Sequence, residues 1–524
     1  MPETPDLCIQ PVIFLYGPSG SGKSTVGRRL AESLGQPFID LDEVIEKKAG
    51  MTIPEIFAQE GEGGFRSRER VALQESIARR PAVIALGGGS LLDDASRVQV
   101  EANGPVICLD APFETLLSRL QGVAEQRPLL AAGLPERLRL LLAQRSAHYA
   151  SFPQLDTSGR TPDEVAWQIQ VRMGQFRVHG MGTGYVVHVR RGGLNCLGEA
   201  CREAGLQGPV ALVSDEQVAP LYARQVIASL EKQNYTVHLF TLPAGEIHKT
   251  TAAVQVLWEQ LVSAGLERQS TVIALGGGVV NDIAGFAAAT FLRGVRWVTC
   301  PTSLLAMVDA SLGGKTGVDL PQGKNLVGAF YPPAMVLADP ACLETLPVEE
   351  LRSGLAEVIK HGIIGDPLLL QLCASFPGVD QLEEIVCRAM AIKVQVIQAD
   401  PYEKGLRAVL NLGHTVGHAL ELVTGYALRH GEAVAIGMVS AARLACQMGL
   451  AEDGLDEAIR SILHQLGLPT RIPPDLDRSA ILQSMYQDKK RLAGKLRFAL
   501  PVRIGQVLPG MEVDESLVKS ILAL

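Results

Sequence analysis

No two of the nine cysteines stand in a CxxC pair, and they are scattered from Cys8 to Cys446. That spacing leaves no thiolate metal site and no disulfide framework to read, so the cysteines are expected to pack as small buried hydrophobes. Nor does any apolar run approach the ~20 residues needed to cross a bilayer. The opening MPETPDLCIQ carries acids where a signal peptide would have a basic and then an apolar region, which points to a cytoplasmic protein without a membrane partner. A basic excess is missing too. Up to residue 176 there are 18 Lys+Arg against 22 Asp+Glu, and beyond it 30 against 34, so each part carries a net charge of about −4 and neither advertises a nucleic-acid surface. What is present is a globular composition, 47% hydrophobic and 20% charged over 524 residues, enough for two or three domains with sizeable cores.

Residues 11–172 alternate short apolar runs (PVIFLY, PFIDLD, AVIAL, PVICLD) with helical stretches, which reads as βα units around a parallel sheet. The series closes on Thr161, Pro162, Asp163 and Glu164, a capping box leading a helix to about Met173. GQFRVHGMGTG follows, glycine-rich and with little apolar periodicity, so residues 1–175 are expected to form one domain and 176–184 a linker. A second α/β series begins at YVVHVRRG and includes PVALVSD, TVHLFTLP, TVIALGGG and VRWVTCPTS. From about Leu343 it gives way to helical patterns over 348–362, 382–400 and 432–448. The expected class is α/β twice over: a parallel-sheet domain, then an α/β part over 185–345 and a mostly helical part over 346–524, with a cleft between the last two. IALGGG occurs at 84–89 and again at 273–278, but the flanks differ and coincidence is the simpler reading.

In the first half, Gly17-Pro-Ser-Gly20-Ser21-Gly22-Lys23-Ser24-Thr25 follows an apolar strand and precedes a helix. In that context the backbone N–H groups and the helix N-terminus cradle phosphate, Lys23 reaches the β/γ-phosphates and the Ser24 hydroxyl can ligate Mg²⁺. Asp40 and Asp42, one residue apart at a strand end, should share one side of an extended chain. One could help hold the Mg²⁺ shell and the other take hydrogen bonds from substrate hydroxyls. Arg66, in GEGGFRSRE, stands where a helix is expected to start.

Together these residues resemble shikimate kinase, a P-loop enzyme that phosphorylates a cyclic hydroxy-carboxylate. The runs GPSGSGKST, FIDLD, GMTIPEIFAQEGEGGFRSRE, ALGGG, RPLL and RSAHY match in order over about 160 residues. The resemblance assigns Gly20, Ser21, Gly22, Lys23, Ser24 and Thr25 to ATP and Mg²⁺, Asp40 to the metal shell, and Asp42 to substrate hydroxyls. It gives Arg66 and Arg145 to the substrate carboxylate, with Gly88 close to the ring and Arg127 on a lid over the phosphates. Paired guanidinium forks suit a carboxylate. Gluconate-type kinases share the cradle, but FRxxE and RxxxY favour shikimate.

In the second half, Gly276, Gly277, Gly278, Val279, Val280, Asn281 and Asp282 follow a strand and open a helix, so they can present N–H groups to a pyrophosphate, although the run is not GxGxxG. His414 and His418 lie four apart on one helix face and His430 follows; three of only ten histidines thus fall within seventeen residues. Imidazoles with a carboxylate suit a catalytic Zn²⁺ with an open position. Lys315 and Lys324, in GGKTGVDLPQGKN, are flanked by glycines that let backbone and ammonium close on an anion.

This half resembles 3-dehydroquinate synthase over essentially residues 180–524, on runs including ALGGGVVNDIAGFAAATFLRG, PTSLLAMVDASLGGKTGVDLPQGKNLVGAFY, SGLAEVIKHGII, LNLGHTVGHALE, RHGEAVAIGM and DKKRLAGKLRFALP. The resemblance makes Glu357, His414 and His430 the zinc ligands, with Co²⁺ an alternative ion, and His418 a catalytic or substrate-contacting group. It places NAD against Glu246, Lys249, Gly278, Val279, Val280, Asn281, Asp282, Thr302, Ser303, Lys315 and Lys324, with Cys342, Leu343, Glu344 and Thr345 closing on it. Asp309, Arg293, Lys315, Asn325, Lys360, Lys393, Arg407 and one of Lys489 or Lys490 would handle the substrate's carboxylate and phosphate. Two departures stand out: an additional His248 in PAGEIHK, and Asn281 where glycine is usual. A zinc- or iron-dependent alcohol dehydrogenase such as glycerol dehydrogenase shares the NAD-plus-metal architecture but not these lysines. The expectation is a fusion of two cytoplasmic enzymes of aromatic precursor synthesis, using ATP with Mg²⁺, NAD⁺ and Zn²⁺, and forming a homodimer through the synthase part.

Overall fold

The computed structural model describes residues 11–121, 133–489 and 496–523. It divides into two compact units between Arg177 and Val178. The expected linker is therefore only partly a turn: Gln175–Val178 is a strand with Phe176 and Val178 fully buried. Left-handed backbone is confined there to Gly180, Gly182 and Gly184, so the glycine count concealed a short apolar strand. Among the described residues no helix is long and apolar enough to cross a membrane.

The first unit is built on five parallel strands in the order Phe38–Asp40, Val83–Ala85, Ile13–Tyr16, Val106–Asp110, Gln154–Asp156. Strand Ile13–Tyr16 must be apolar throughout because both faces are covered. Ile13 and Leu15 pack with helices Lys23–Leu34 and Pro162–Met173, whereas Phe14 and Tyr16 face helices Leu41–Ala49 and Ile53–Ile77. The expected capping box of Thr161 and Glu164 is formed. Ile13–Tyr16 lies where the strand order reverses, so the glycine loop that follows opens into the crevice at the carboxyl ends of the strands.

The second unit carries parallel strands in the order Tyr185–Val189, Met335–Ala338, Arg296–Pro301, Thr271–Gly276, Val210–Asp215, Val237–Leu242. GGKTGVDLPQGKN forms an antiparallel hairpin of Lys315–Leu320 and Gly323–Phe330. Helices Val348–Ile364, Val379–Ala399, His414–Val423 and His430–Gln447 then dominate. They are not alone, since Arg497–Arg503 and Gln506–Glu512 form a second hairpin. Glycines set how closely these helices approach. A Cβ on Gly437 would lie 1.9 Å from the Gly413 carbonyl oxygen, and one on Gly431 would lie 2.1 Å from that of Ser353. The middle of helix His430–Gln447 therefore meets the start of His414–Val423, and its own start meets Val348–Ile364, at backbone distance. The two IALGGG runs diverge after the strand, the first entering the turn Ser90–Leu92 and the second the helix Gly278–Thr290.

Candidate active sites

In the first unit a cavity of about 470 Å³ is lined by Gly20, Ser21, Gly22, Lys23, Ser24 and Thr25 at one end and by Asp42, Gly87 and Gly88 at the other. Lys23 Nζ donates to the carbonyls of Gly17 and Pro18 at 2.8 and 2.9 Å, and Ser24 Oγ donates to Asp40 Oδ2 at 2.6 Å. The two aspartates both line this cavity but do not share a strand face. The strand ends at Asp40, whose Oδ1 caps the next helix by accepting from Asp42 N at 3.1 Å. Asp42 is already in the first helical turn, because a side-chain cap satisfies N–H groups that an extended chain would leave to solvent.

Arg66 lies little more than one turn past Gly61 (φ 69°), the non-helical residue at which two helical segments join within Ile53–Ile77, so it stands near the start of the second segment. Its Nη1 donates to Glu69 Oε2 at 2.6 Å and its Nη2 to Glu62 at 3.2 Å. Arg145 Nη1 donates to the Gly88 carbonyl at 3.0 Å, which also accepts from Tyr149 OH at 2.7 Å. Both arginines thus converge on the triple-glycine turn, and a Cβ on Gly89 would lie 2.6 Å from Arg66 Nη2. Two participants escaped the sequence reading. Buried Glu69 takes both Arg66 and Ser90, a partner signalled by its i+3 spacing from Arg66. Arg119 lines the cavity and binds Thr157 through Oγ1 and the carbonyl, both at 2.9 Å. Arg127 lies outside the described residues.

The second unit holds a cavity of about 610 Å³ lined by Asp282, Asp309, Lys315, Asn325, Lys393 and Glu403 among others. On one side Lys249 pairs with Asp282 at 2.5 Å and donates to Asn325 Oδ1 at 2.5 Å. Burial raises the Asp282 pKa to about 6 against the pull of Lys249. Glu246 lies 3.5 Å from Lys324 Nζ and 4.0 Å from Lys249 Nζ. Asn281 is buried, its Oδ1 taken by Thr299 Oγ1 at 2.7 Å, which is how this chain accommodates a side chain there. Gly278, Val279 and Val280 open helix Gly278–Thr290 as expected, and Ser303 Oγ accepts from Ala306 N at 3.3 Å; Thr302 is buried beside it. Cys342 and Leu343 are buried, Glu344 pairs with Arg191, and Thr345 meets Tyr222 OH; none of the four lines the cavity.

Three helices bring Glu357, His414 and His430 together, with side-chain ligand atoms within 4.8 Å of one another. Glu357 is fully buried, and its Oε1 accepts no hydrogen bond while lying 3.7 Å from His414 Nε2 and 3.4 Å from His430 Nε2. The Nδ1 of His414 faces the Leu412 carbonyl at 3.2 Å and that of His430 faces Glu421 Oε2 at 3.4 Å. With the protons on Nδ1, two imidazole lone pairs and a carboxylate oxygen point at one another, an arrangement that a divalent cation satisfies. Burial pulls the His430 pKa down, but the carboxylates of Glu357 and Glu421 push it up to about 10, so without an ion a proton on the ring meets their charge and a cation at Nε2 would displace it. Two neutral imidazoles and one carboxylate fit Zn²⁺ or Co²⁺ with an open position. Asp309, Glu357 and His361 also cluster, but Lys393 and Lys360 already pair with the two carboxylates. His418 sits exposed at the rim, its ring 5.2 Å from that of His414.

Beside this cluster lies a buried cationic wall. Lys393 Nζ donates to Asp309 Oδ1 and to its carbonyl, both at 2.6 Å, and Lys360 Nζ pairs with Glu357 and lies 4.0 Å from Asp309 Oδ1. Lys393 and Lys360 hold the Asp309 carboxyl well below the carboxylate range against its burial. Burial in turn draws Lys393 down to about 8. Arg407 is buried, donating to the Pro401 carbonyl at 2.6 Å and lying against Gly313. Lys315 is half exposed and pairs with Glu403 at 2.6 Å. Arg293 is exposed on a left-handed turn (φ 69°) and does not line the cavity. Lys489 ends helix Arg478–Lys489 and Lys490 lies outside the described residues.

Comparison with known proteins decides the family. Residues 239–353 match the model for the N-terminal part of 3-dehydroquinate synthase and 354–491 that for its C-terminal part. The 3-dehydroquinate synthase of Synechocystis sp. is 46% identical over 347 residues, covering 64% of this chain and 96% of that protein. The chain belongs to the 3-dehydroquinate synthase family. Ahead of the synthase, residues 19–173 match the shikimate kinase model, so a kinase domain and a synthase share one polypeptide. Solved structures agree for the synthase. A 2-deoxy-scyllo-inosose synthase complexed with carbaglucose-6-phosphate, NAD⁺ and Co²⁺ is 27% identical at TM-score 0.62, over 66% of this chain and 99% of that one. The 2-epi-5-epi-valiolone synthase of Streptomyces hygroscopicus, with NAD⁺ and Zn²⁺ bound, is 29% identical at TM-score 0.60, over 66% and 98%. The synthase residues that sequence reasoning missed are Glu421 and Glu403. Glu421 carried a signal, lying seven residues after His414 on the same helix in GHTVGHALE; Glu403 carried none, being brought to Lys315 by a distant turn.

Proposed function

We propose that the two sites catalyse two separate steps of the shikimate pathway: ATP-dependent phosphorylation of shikimate, and conversion of 3-deoxy-D-arabino-heptulosonate 7-phosphate to 3-dehydroquinate with release of phosphate. For the kinase, the observation that carries the reading is a single cavity joining the phosphate loop to Asp42 and the glycine turn on which Arg66 and Arg145 converge. Lys23 binds the β/γ-phosphates, Ser24 with Asp40 behind it holds Mg²⁺, Asp42 takes the acceptor hydroxyl's proton, and the two guanidinium forks orient the carboxylate. Catalysis then rests on positioning the acceptor oxygen in line with the transferred phosphoryl group.

For the synthase, the carrying observation is the Glu357, His414 and His430 cluster set beside Asp309, Lys360 and Lys393. An ion bound there supplies Lewis acidity at a secondary alcohol, and NAD⁺ supplies a reversible hydride acceptor. The chain contributes the rest. Lys360, Lys393, Arg407 and Lys315, with Asn325, bind phosphate and carboxylate and stabilise developing enolate charge. Asp309 holds the two lysine ammoniums in place, and His418 stands at the rim where a proton can be exchanged with solvent. NAD⁺ contacts are assigned to Glu246, Lys249, the start of helix Gly278–Thr290, and Lys324. The family resemblance extends the reading to a cytoplasmic homodimer paired through the synthase unit. Assaying the purified chain with shikimate plus ATP, and separately with the heptulosonate phosphate plus NAD⁺ and Zn²⁺, tests it. Both products should form, and failure of either reaction in folded protein would remove that half of the proposal.

A further inference from the structure

Glu421 lies on helix His414–Val423 with its side chain only 6% exposed, and its two oxygens serve different sites. Oε2 faces Nδ1 of His430 at 3.4 Å, while Oε1 accepts from Nζ of Lys324 at 3.4 Å. Lys324 stands on strand Gly323–Phe330, 4.2 Å above the ring of Tyr426 and 3.5 Å from Glu246. A single buried carboxylate therefore joins a ligand of the ion to a lysine of the dinucleotide cluster. We propose that Glu421 is a positioning residue that couples ion binding at His430 to dinucleotide binding at Lys324, each strengthening the other. The inference rests on the assignment of those two sites made above.

The sign follows from charge accounting. A buried carboxylate needs positive charge nearby. Without an ion Glu421 draws on the His430 ring and on the ammonium of Lys324 together. An ion on Nε2 withdraws electron density from the His430 ring and makes Nδ1–H a stronger donor, so Glu421 is satisfied from that side. Lys324 is then released toward the anionic dinucleotide. By linkage the dinucleotide must tighten the ion by the same factor.

The test uses the full chain, stripped with a chelator and titrated with Co²⁺ and with NAD⁺, each in the absence and presence of the other. Co²⁺ absorbance reads the ligand set and calorimetry reads both dissociation constants. Wild type should bind NAD⁺ more tightly with Co²⁺ present, by a factor in the range of about 5–150 typical of coupled sites. Glu421→Gln keeps the shape and loses the charge: it should weaken Co²⁺ by about 10–100-fold and bring the coupling factor within about twofold of one. Lys324→Met should abolish the coupling without weakening Co²⁺, and decides the matter alone if Glu421→Gln does not fold. Retention of the wild-type factor in either folded variant would overturn the proposal. Wild type that binds Co²⁺ and NAD⁺ without coupling would overturn this inference alone, whereas wild type that binds neither would remove the synthase reading beneath it.

Discussion

Replacing Gly437 by alanine separates helix packing from chemistry, because the residue touches no ligand yet sets where two of them stand. A Cβ at this position would lie 1.9 Å from the carbonyl oxygen of Gly413 and 2.7 Å from its carbonyl carbon, both backbone atoms that no rotamer change can move. Contacts under 3.0 Å do not occur, so helix His430–Gln447 and the residue before His414 must part by roughly 1 Å or more. Overpacking of this kind costs about 1–3 kcal/mol, or roughly 1–2 °C of Tm per kcal/mol in a unit of this size. The larger effect falls on the ion site. His414 and His430 would no longer meet Glu357 together, and a misplacement of ~1 Å can cost about 10²-fold in rate. Zn²⁺ affinity and synthase kcat should fall together while the kinase rate is unchanged. Gly378→Ala is the control: its Cβ meets nothing within 4 Å and its φ of −74° suits any residue, so it adds no overpacking and should cost no more than the ~1 kcal/mol of an altered N-cap. Full Zn²⁺ affinity, normal synthase rate and unchanged Tm in Gly437→Ala would refute the argument that backbone contact between these helices positions the ligands.

Lys23→Met should abolish phosphorylation of shikimate and leave synthase turnover near normal, and His414→Ala the reverse; loss of both activities in either folded variant would contradict independent sites. Arg145→Lys keeps the charge but not the fork, and should raise KM for shikimate by about 10–100-fold with little change in KM for ATP. Equal shifts in both constants would place Arg145 elsewhere in the cycle. Burial lowers the Lys393 pKa to about 8, so its ammonium is present below that pH and lost as pH rises through it. The synthase kcat/KM should accordingly decline above about pH 8, Lys393→Arg should carry the decline beyond the measurable range, and a profile flat well above pH 8 would remove Lys393 from substrate binding.

Local patterns were legible in the sequence to the extent that the physics behind them is local. The phosphate loop, the capping box at Thr161 and the helix bearing His414 and His418 depend on neighbours a few residues apart, and they stand where the pattern put them. Asp40 and Asp42 were misread because period-two alternation holds only while the strand continues, and the Asp40 side chain ends it by capping a helix. The hairpin Arg497–Arg503 with Gln506–Glu512 was missed beneath a dominant helical pattern. Spacing alone favoured His414 with His418, since four residues place two rings on one face. The structure instead sets His414 and His430 around Glu357, 57 residues before His414, through glycine contacts between helices that no periodicity announces. Family resemblance supplied that grouping, but neither it nor the spacing pointed to Glu69, Arg119 or Glu421, whose partners are apparent only once the chain is folded.

The most direct measurement follows inorganic phosphate and NADH together while the synthase works at substoichiometric NAD⁺. The proposed phosphate-binding lysines, set beside the candidate ion site and the proposed dinucleotide contacts, predict that hydride is borrowed for the elimination and returned to the same molecule. Phosphate should appear continuously over many turnovers per NAD⁺ with no matching rise in NADH absorbance, and chelation should stop it while leaving the kinase active once Mg²⁺ is restored. NADH accumulating in step with phosphate, or simple oxidation of small polyols, would contradict the synthase chemistry and make the second unit a dehydrogenase.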